Sequence, residues 1–114
     1  MKLPNVEAAV VEEQKIVAYL LNPNHPDGAS KARFFSDFGF HIDQWQEMSD
    51  ALRQLAQASP VVKMVATPHG EKYIVDGILK TPSGVSPSVR TVWIVDSGSR
   101  APRLVTAFPQ GRKT

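Results

Sequence analysis

The chain has 114 residues, 42% hydrophobic and 21% charged, with a formal net charge of +2 and no cysteine. That is length and apolar content for one domain with one core, and too little for two. No apolar run approaches the ~20 residues that span a bilayer, and without cysteine there is neither a disulfide nor a thiolate metal site.

The start, "MKLPNVEAAVVEEQK", has no apolar h-region and turns acidic quickly, so a cytoplasmic domain without a signal peptide is expected. "VEEQKIVAYLLN" places Val17, Leu20 and Leu21 at helical spacing behind Glu12 and Glu13, acids suited to a helix start. Asn22-Pro23 ends that helix. After the loop 22–29, Ser30 is the expected N-cap of a short helix carrying Phe34, Phe35 and Phe38, closed by Gly39. Asp43 and Gln46 stand in capping-box spacing at the head of "DQWQEMSDALRQLAQA". Its apolar positions Trp45, Met48, Leu52, Leu55 and Ala56 form one stripe, and the helix should end before Pro60.

The period then changes. "VVKMVA", "KYIVDGILK", "SVRTVWIVD" and "RLVTAFP" are short, rich in β-branched and aromatic residues, and bounded by turn formers. With no helix between them they predict an antiparallel meander. The expected single domain, 1–114, is therefore α+β: a helical half over about 11–58 packed on one face of a four-stranded sheet half over about 61–109. The first ten residues are candidates for an added edge strand, and "QGRKT", the tail 110–114, for fraying. Strict alternation puts Arg90, Val92 and Ile94 on one face and Thr91, Trp93 and Val95 on the other. It likewise sets Leu104, Thr106 and Phe108 against Arg103, Val105 and Ala107.

Charge is unevenly spread. Residues 1–60 sum to −3 and residues 61–114 to +5, so the sheet half is basic enough to steer a polyanion such as RNA. The histidines, His25, His41 and His69, are scattered and no carboxylates cluster, which argues against a metal site. No phosphate-binding glycine pattern and no nucleophile elbow occurs, so no cofactor is expected.

Metal-independent RNA cleavage asks for less. The ribose 2′-hydroxyl is its own nucleophile, so a base, an acid and cations for the charged phosphorane suffice. The inventory is His25, Lys31 and Arg33 on or beside the second helix, with Tyr73, Arg90, Arg103 and Thr106 on strands. Lys31 and Arg33 fall where the macrodipole opposes them by roughly 0.3–1 kcal/mol each, an opposition that a bound anion reverses. Each residue also has an ordinary reading. HPDG is then a turn, Lys31 and Arg33 are solvated, and His25, His41 and His69 are loop or structural residues. The phenylalanines and Trp45 become core instead of base-stacking groups, and Thr106 a common strand residue. Arg90 and Thr91 precede Trp93 in the most apolar strand, where an arginine must reach solvent, pair, or bind an anion.

The stretches "YLLNPNHPDGASKARFFSDFGF", "YIVDGILKTPSGVSPSVRTVWIV" and "PRLVTAFP" together resemble a small bacterial domain family of unknown function. The resemblance runs from Lys15 to Thr106, and the family occurs stand-alone and as C-terminal modules of polymorphic toxins. The order of helices then strands, with late Trp and Pro-Arg-Leu-Val-Thr strands, also resembles the barnase/EndoU/colicin/RelE ribonuclease-toxin group. That second resemblance implies metal-independent ribonuclease activity and a cognate antitoxin or immunity protein. It points to His25, Lys31, Arg90 and Thr106 as catalytic, with Thr91 and Arg103 binding substrate; the inventory above adds Arg33 and Tyr73 to the substrate-binding set. No histidine stands in the last two strands, where some related toxins place one, which leaves the general acid and base unassigned. Two other readings stay open: a non-catalytic module binding an operon partner protein or nucleic acid, and a domain that dimerises through a strand edge.

Overall fold

Phe35, Phe40, Met48, Leu52 and Trp93 meet in one core, sealed between a layer of helices and one face of a sheet. The computed structural model describes residues 1–110. Within them, three helices pack against an open four-stranded antiparallel sheet in an α+β arrangement. The expected fraying of "QGRKT" falls, from residue 111 onward, outside the described residues.

Helix α1 (Glu13–Lys15) is a single turn that runs straight into a π-helical turn (Ile16–Leu20), closed by a 2.8 Å bond from the Leu21 amide to the Ile16 carbonyl. The single α-helix read from the sequence is thus a hybrid. The widened turn sends Ile16 and Leu20 fully into the core and leaves Tyr19 half-buried on its flank.

Helix α2 (Ala29–Asp37) starts one residue ahead of Ser30, with Gly28 as N-cap and no side-chain cap bond. The expected Ser30 cap is not used because the helix already includes Ser30, and the Ala32 amide it would serve bonds the Gly28 carbonyl; His25 instead organises the turn before the helix. Its carbonyl takes the Gly28 and Ala29 amides, and its Nδ1 takes those of Asp27 and Gly28. Gly39, at φ 99°, closes the helix, with its amide on the Ser36 carbonyl and that of Phe40 on the Phe35 carbonyl.

Helix α3 (Trp45–Ala58) is preceded by a 3₁₀ turn (Ile42–Gln44), so the expected Asp43–Gln46 capping box does not form; Gln44 is the N-cap, without a side-chain bond. Its buried face is Met48, Ser49, Ala51, Leu52, Leu55 and Ala56. Glycine lets α3 settle on the sheet: a Cβ at Gly77 would overlap Ser59 Oγ and lie 2.9 Å from Leu55 Cγ.

The sheet is β1 (Val61–Thr67), β2 (Gly70–Ile78), β3 (Ser88–Asp96) and β4 (Arg103–Pro109), paired in that order. Tyr73, Val75, Val89, Thr91, Trp93, Leu104 and Ala107 are buried under the helices. The alternation expected in β4 is broken by a bulge at Val105. Trp93 pairs with Leu104, but Val92 pairs with Thr106 and Thr91 with Ala107. The extra residue moves Thr106 off the face of Leu104. The first ten residues add no strand; Val10 makes one parallel bridge to Arg103, at the outer edge of β4.

Candidate functional site

Tyr19 is the hub of the polar cluster. Its hydroxyl and Thr106 Oγ1 are 2.9 Å apart, which joins the π-helical turn to β4. The His25 ring meets the Tyr19 ring edge-on at 4.9 Å between centroids. Lys15 Nζ and Lys31 Nζ stand 5.3 and 5.6 Å from the Tyr19 ring centre, within cation–π range. Three of the sequence candidates, His25, Lys31 and Thr106, are thereby gathered on a residue the sequence reading did not single out.

Local chemistry explains the gathering. Lys31 reaches back along α2 to the Asp27 carbonyl at 3.1 Å, which holds its ammonium over the loop. Gly28 is buried against Tyr19, where a Cβ would sit 2.5 Å from the Tyr19 carbonyl oxygen and 3.0 Å from Cδ1 of the ring. Any larger residue would push the loop off the aromatic ring. Because His25 Nδ1 accepts two backbone amides, the neutral ring carries its proton on Nε2, the nitrogen the loop leaves free. His25 thus presents a hydrogen-bond donor beside two lysines.

The other candidates lie elsewhere. Arg90 grips Asp76 through two bonds of 2.7 and 2.8 Å, and Gln110 Nε2 adds a third to the same carboxylate at 3.0 Å. Arg103 grips Asp96 at 2.7 and 3.1 Å. These hydrogen bonds push both guanidinium groups further toward the charged state and hold the Asp96 carboxyl below its usual range. Both arginines therefore meet solvent already neutralised by a bidentate partner.

Thr91 is fully buried; its hydroxyl donates to the Val75 carbonyl and accepts from Trp93 Nε1, both at 2.8 Å. Tyr73 is buried on the same face and donates to Glu71 Oε1 at 2.8 Å; burial, then that carboxylate, raises its phenol above the usual range. Arg33 sits on the far side of α2 from this cluster. It lines a cleft of about 500 Å³ with Asp37, His41 and Asp43, floored by Leu21, Ala32 and Phe40. Among the described residues no group of three His, Asp or Glu side chains is placed to hold a metal ion.

Lys15 and Tyr19 were the residues sequence reasoning missed. Their i, i+4 spacing was a usable signal, since such pairs face each other on a helix.

An α+β domain with a basic, hydroxyl-containing cluster at one sheet edge is the class that fold and geometry define. Residues 2–111 match the sequence model of the family described as "Domain of unknown function (DUF6883)", and the chain belongs to that family. No functionally curated protein matches it. Among solved structures, it resembles a chain of the "Contact-dependent growth inhibition toxin - immunity protein complex from Klebsiella pneumoniae 342", with a TM-score of 0.72. The two are 18% identical, and the alignment covers 94% of this chain and 97% of that one. At that identity the likeness is one of fold, and function must be argued from the site.

Proposed function

We propose that the chain is a ribonuclease-like toxin domain of the barnase/EndoU/colicin/RelE type, cleaving RNA without a metal and restrained by an immunity protein. The observation that carries this reading is the convergence of His25, Lys31 and Thr106 on Tyr19. A phosphodiester seated there would meet two ammonium groups, the Nε2–H of His25 and the Tyr19–Thr106 hydroxyl pair. Such donors favour the extra negative charge of a phosphorane over the ground state. The ribose 2′-hydroxyl gives its proton to solvent as its oxygen attacks phosphorus, the P–O5′ bond breaks, and the 5′-oxygen takes a proton from solvent, leaving a 2′,3′-cyclic phosphate and a 5′-hydroxyl. In this reading Lys15 takes the phosphate-holding role expected of Arg90 and Arg103, which Asp76 and Asp96 already occupy. The fold neighbour, a chain of a toxin–immunity complex, supports the assignment to this class.

A second reading has its own observation. His25 Nδ1 is committed to the loop, as a purely structural histidine would be. The cluster would then hold a partner protein or nucleic acid without chemistry. One experiment separates the two: incubation of RNA with purified protein in EDTA, wild type beside Lys31→Ala and Tyr19→Phe. Cyclic-phosphate ends that appear with wild type and fall away in both variants support cleavage. RNA left intact by protein that still binds it supports the module.

A further inference from the structure

The two edges of the sheet are treated differently. The β4 edge is covered: Val10 bridges to Arg103, and Tyr19 bonds Thr106. The β1 edge is bare. Among the described residues its one extensive contact is with β2; beyond it, the Val61 amide reaches the Met1 carbonyl and Thr67 Oγ1 takes the His69 amide at the turn. In an antiparallel edge strand alternate residues turn their amides and carbonyls away from the sheet, so this edge presents unpaired backbone groups.

Its side chains make it adhesive. Val62, Met64 and Val65 are 53%, 48% and 40% exposed, an apolar content that soluble edges usually avoid. No proline interrupts residues 61–67, and the single irregularity is the bulge between Val61 and Lys63. Charge then selects the occupant. Lys63 pairs with Ile74 and Val65 with Lys72, so both lysines rise from the uncovered face of the sheet at this edge. Among the described residues neither has an ion-pair partner, whereas the arginines of the same face are each held by an aspartate. Glu71 is the nearby acid, and it lies on the opposite face, bonded to Tyr73.

We propose that β1 is a docking edge for an extended, acidic segment of a partner protein, added as a fifth strand antiparallel or parallel to β1. Backbone pairing supplies the register, Val62, Met64 and Val65 supply apolar contact, and carboxylates on one face of the incoming strand meet Lys63 and Lys72. A second copy of this chain is the poorer occupant, because it brings another Lys63 and Lys72 to the same face. The inference stands apart from the RNA-cleavage reading, since β1 and the Tyr19 cluster occupy opposite edges of the sheet.

The test uses the full chain with two short synthetic peptides, one of alternating glutamate and valine, the other of alternating lysine and valine. Amide exchange followed by NMR should slow across residues 61–67 with the glutamate peptide. The double variant Lys63→Glu, Lys72→Glu, changed at two solvent-facing positions, should bind that peptide about fivefold or more weakly. The same variant should prefer the lysine peptide, and Tyr19→Phe should bind as wild type does. Equal affinity of wild type for the two peptides would overturn the proposal, as would protection confined to other strands. So would a dimer by light scattering that Met64→Lys returns to monomer, since the edge would then belong to a second copy.

Discussion

Tyr19 and Thr106, 87 positions apart in sequence, place their hydroxyl oxygens 2.9 Å from each other. The bond is the most direct polar link between the helical layer and β4, and it lies at the centre of the proposed site. Tyr19→Phe keeps the ring and its packing while removing one partner. Stability should fall by about 0.5–1.5 kcal/mol in urea unfolding. The RNA cleavage rate of folded protein should fall on the order of tenfold to a hundredfold. A rate unchanged in a folded variant places the chemistry elsewhere.

Lys15→Ala and Lys31→Ala should each weaken RNA binding with little change in fold. If each ammonium displaces one counterion, the slope of log affinity against log salt should flatten by about 0.7 per lysine for single-stranded RNA. Fluorescence polarisation over a salt series reads this directly. Arg90→Gln and Arg103→Gln, whose guanidinium groups are already paired, should alter that slope far less.

Gly28→Ala tests the contact between loop and ring. With the added methyl crowding the Tyr19 carbonyl at 2.5 Å, destabilisation of about 1–3 kcal/mol is expected. Faster amide exchange should spread from residue 28 into the first turn of α2. Exchange that stays as in wild type would show that the loop absorbs the methyl freely.

Thr91→Val separates core from site. The valine fills the space but leaves Trp93 Nε1 without an acceptor, a loss of about 1–3 kcal/mol. Cleavage per folded molecule should not change, because the hydroxyl is fully buried and faces away from solvent. A drop in cleavage beyond the folded fraction would return Thr91 to the substrate-binding set.

The Asp96–Arg103 pair gives a pH dependence of definite sign. Hydrogen bonds from Arg103 hold the folded-state pKa of Asp96 below its unfolded value. The pair's contribution to stability is therefore full above the ordinary carboxylate range and is lost as pH falls through the depressed folded value. Wild type should exceed Asp96→Asn in stability at neutral pH, with the two converging under acid. A gap that persists at low pH would assign the difference to packing.

The architecture was legible because its signals are periodic and local. The stripe from Met48 to Ala56, Gly39 past the end of α2, and four β-rich runs between turn formers all stand in the structure, with β2 starting and ending two residues earlier than read. What escaped depends on geometry that a repeat cannot encode. The bulge at Val105 breaks a two-residue alternation with no glycine or proline to mark it, and Thr106 changes faces as a result. The π-helical turn has no composition of its own, so Tyr19 was not singled out. Ser30 reads as a cap by type, yet the helix already begins at Ala29, and the Ala32 amide that a Ser30 cap would serve is bonded to the Gly28 carbonyl. Arg90 and Arg103 read as site candidates with pairing left open, because Asp76 and Asp96 become their neighbours only through strand pairing and the bend between β3 and β4.

The bridge from Val10 to Arg103, beside the bond from Tyr19 to Thr106, ties the earliest part of the chain to the latest strand. During translation Val10 and Tyr19 emerge well before the strand residues that close on them. A nascent chain that has not yet released β4 carries Lys15, Tyr19, His25 and Lys31 but lacks Thr106, the strand residue that meets the Tyr19 hydroxyl. The cluster therefore comes together late in synthesis. Truncation before Thr106 would remove the tie from the Tyr19 hydroxyl to the sheet even though the other side chains of the cluster are present.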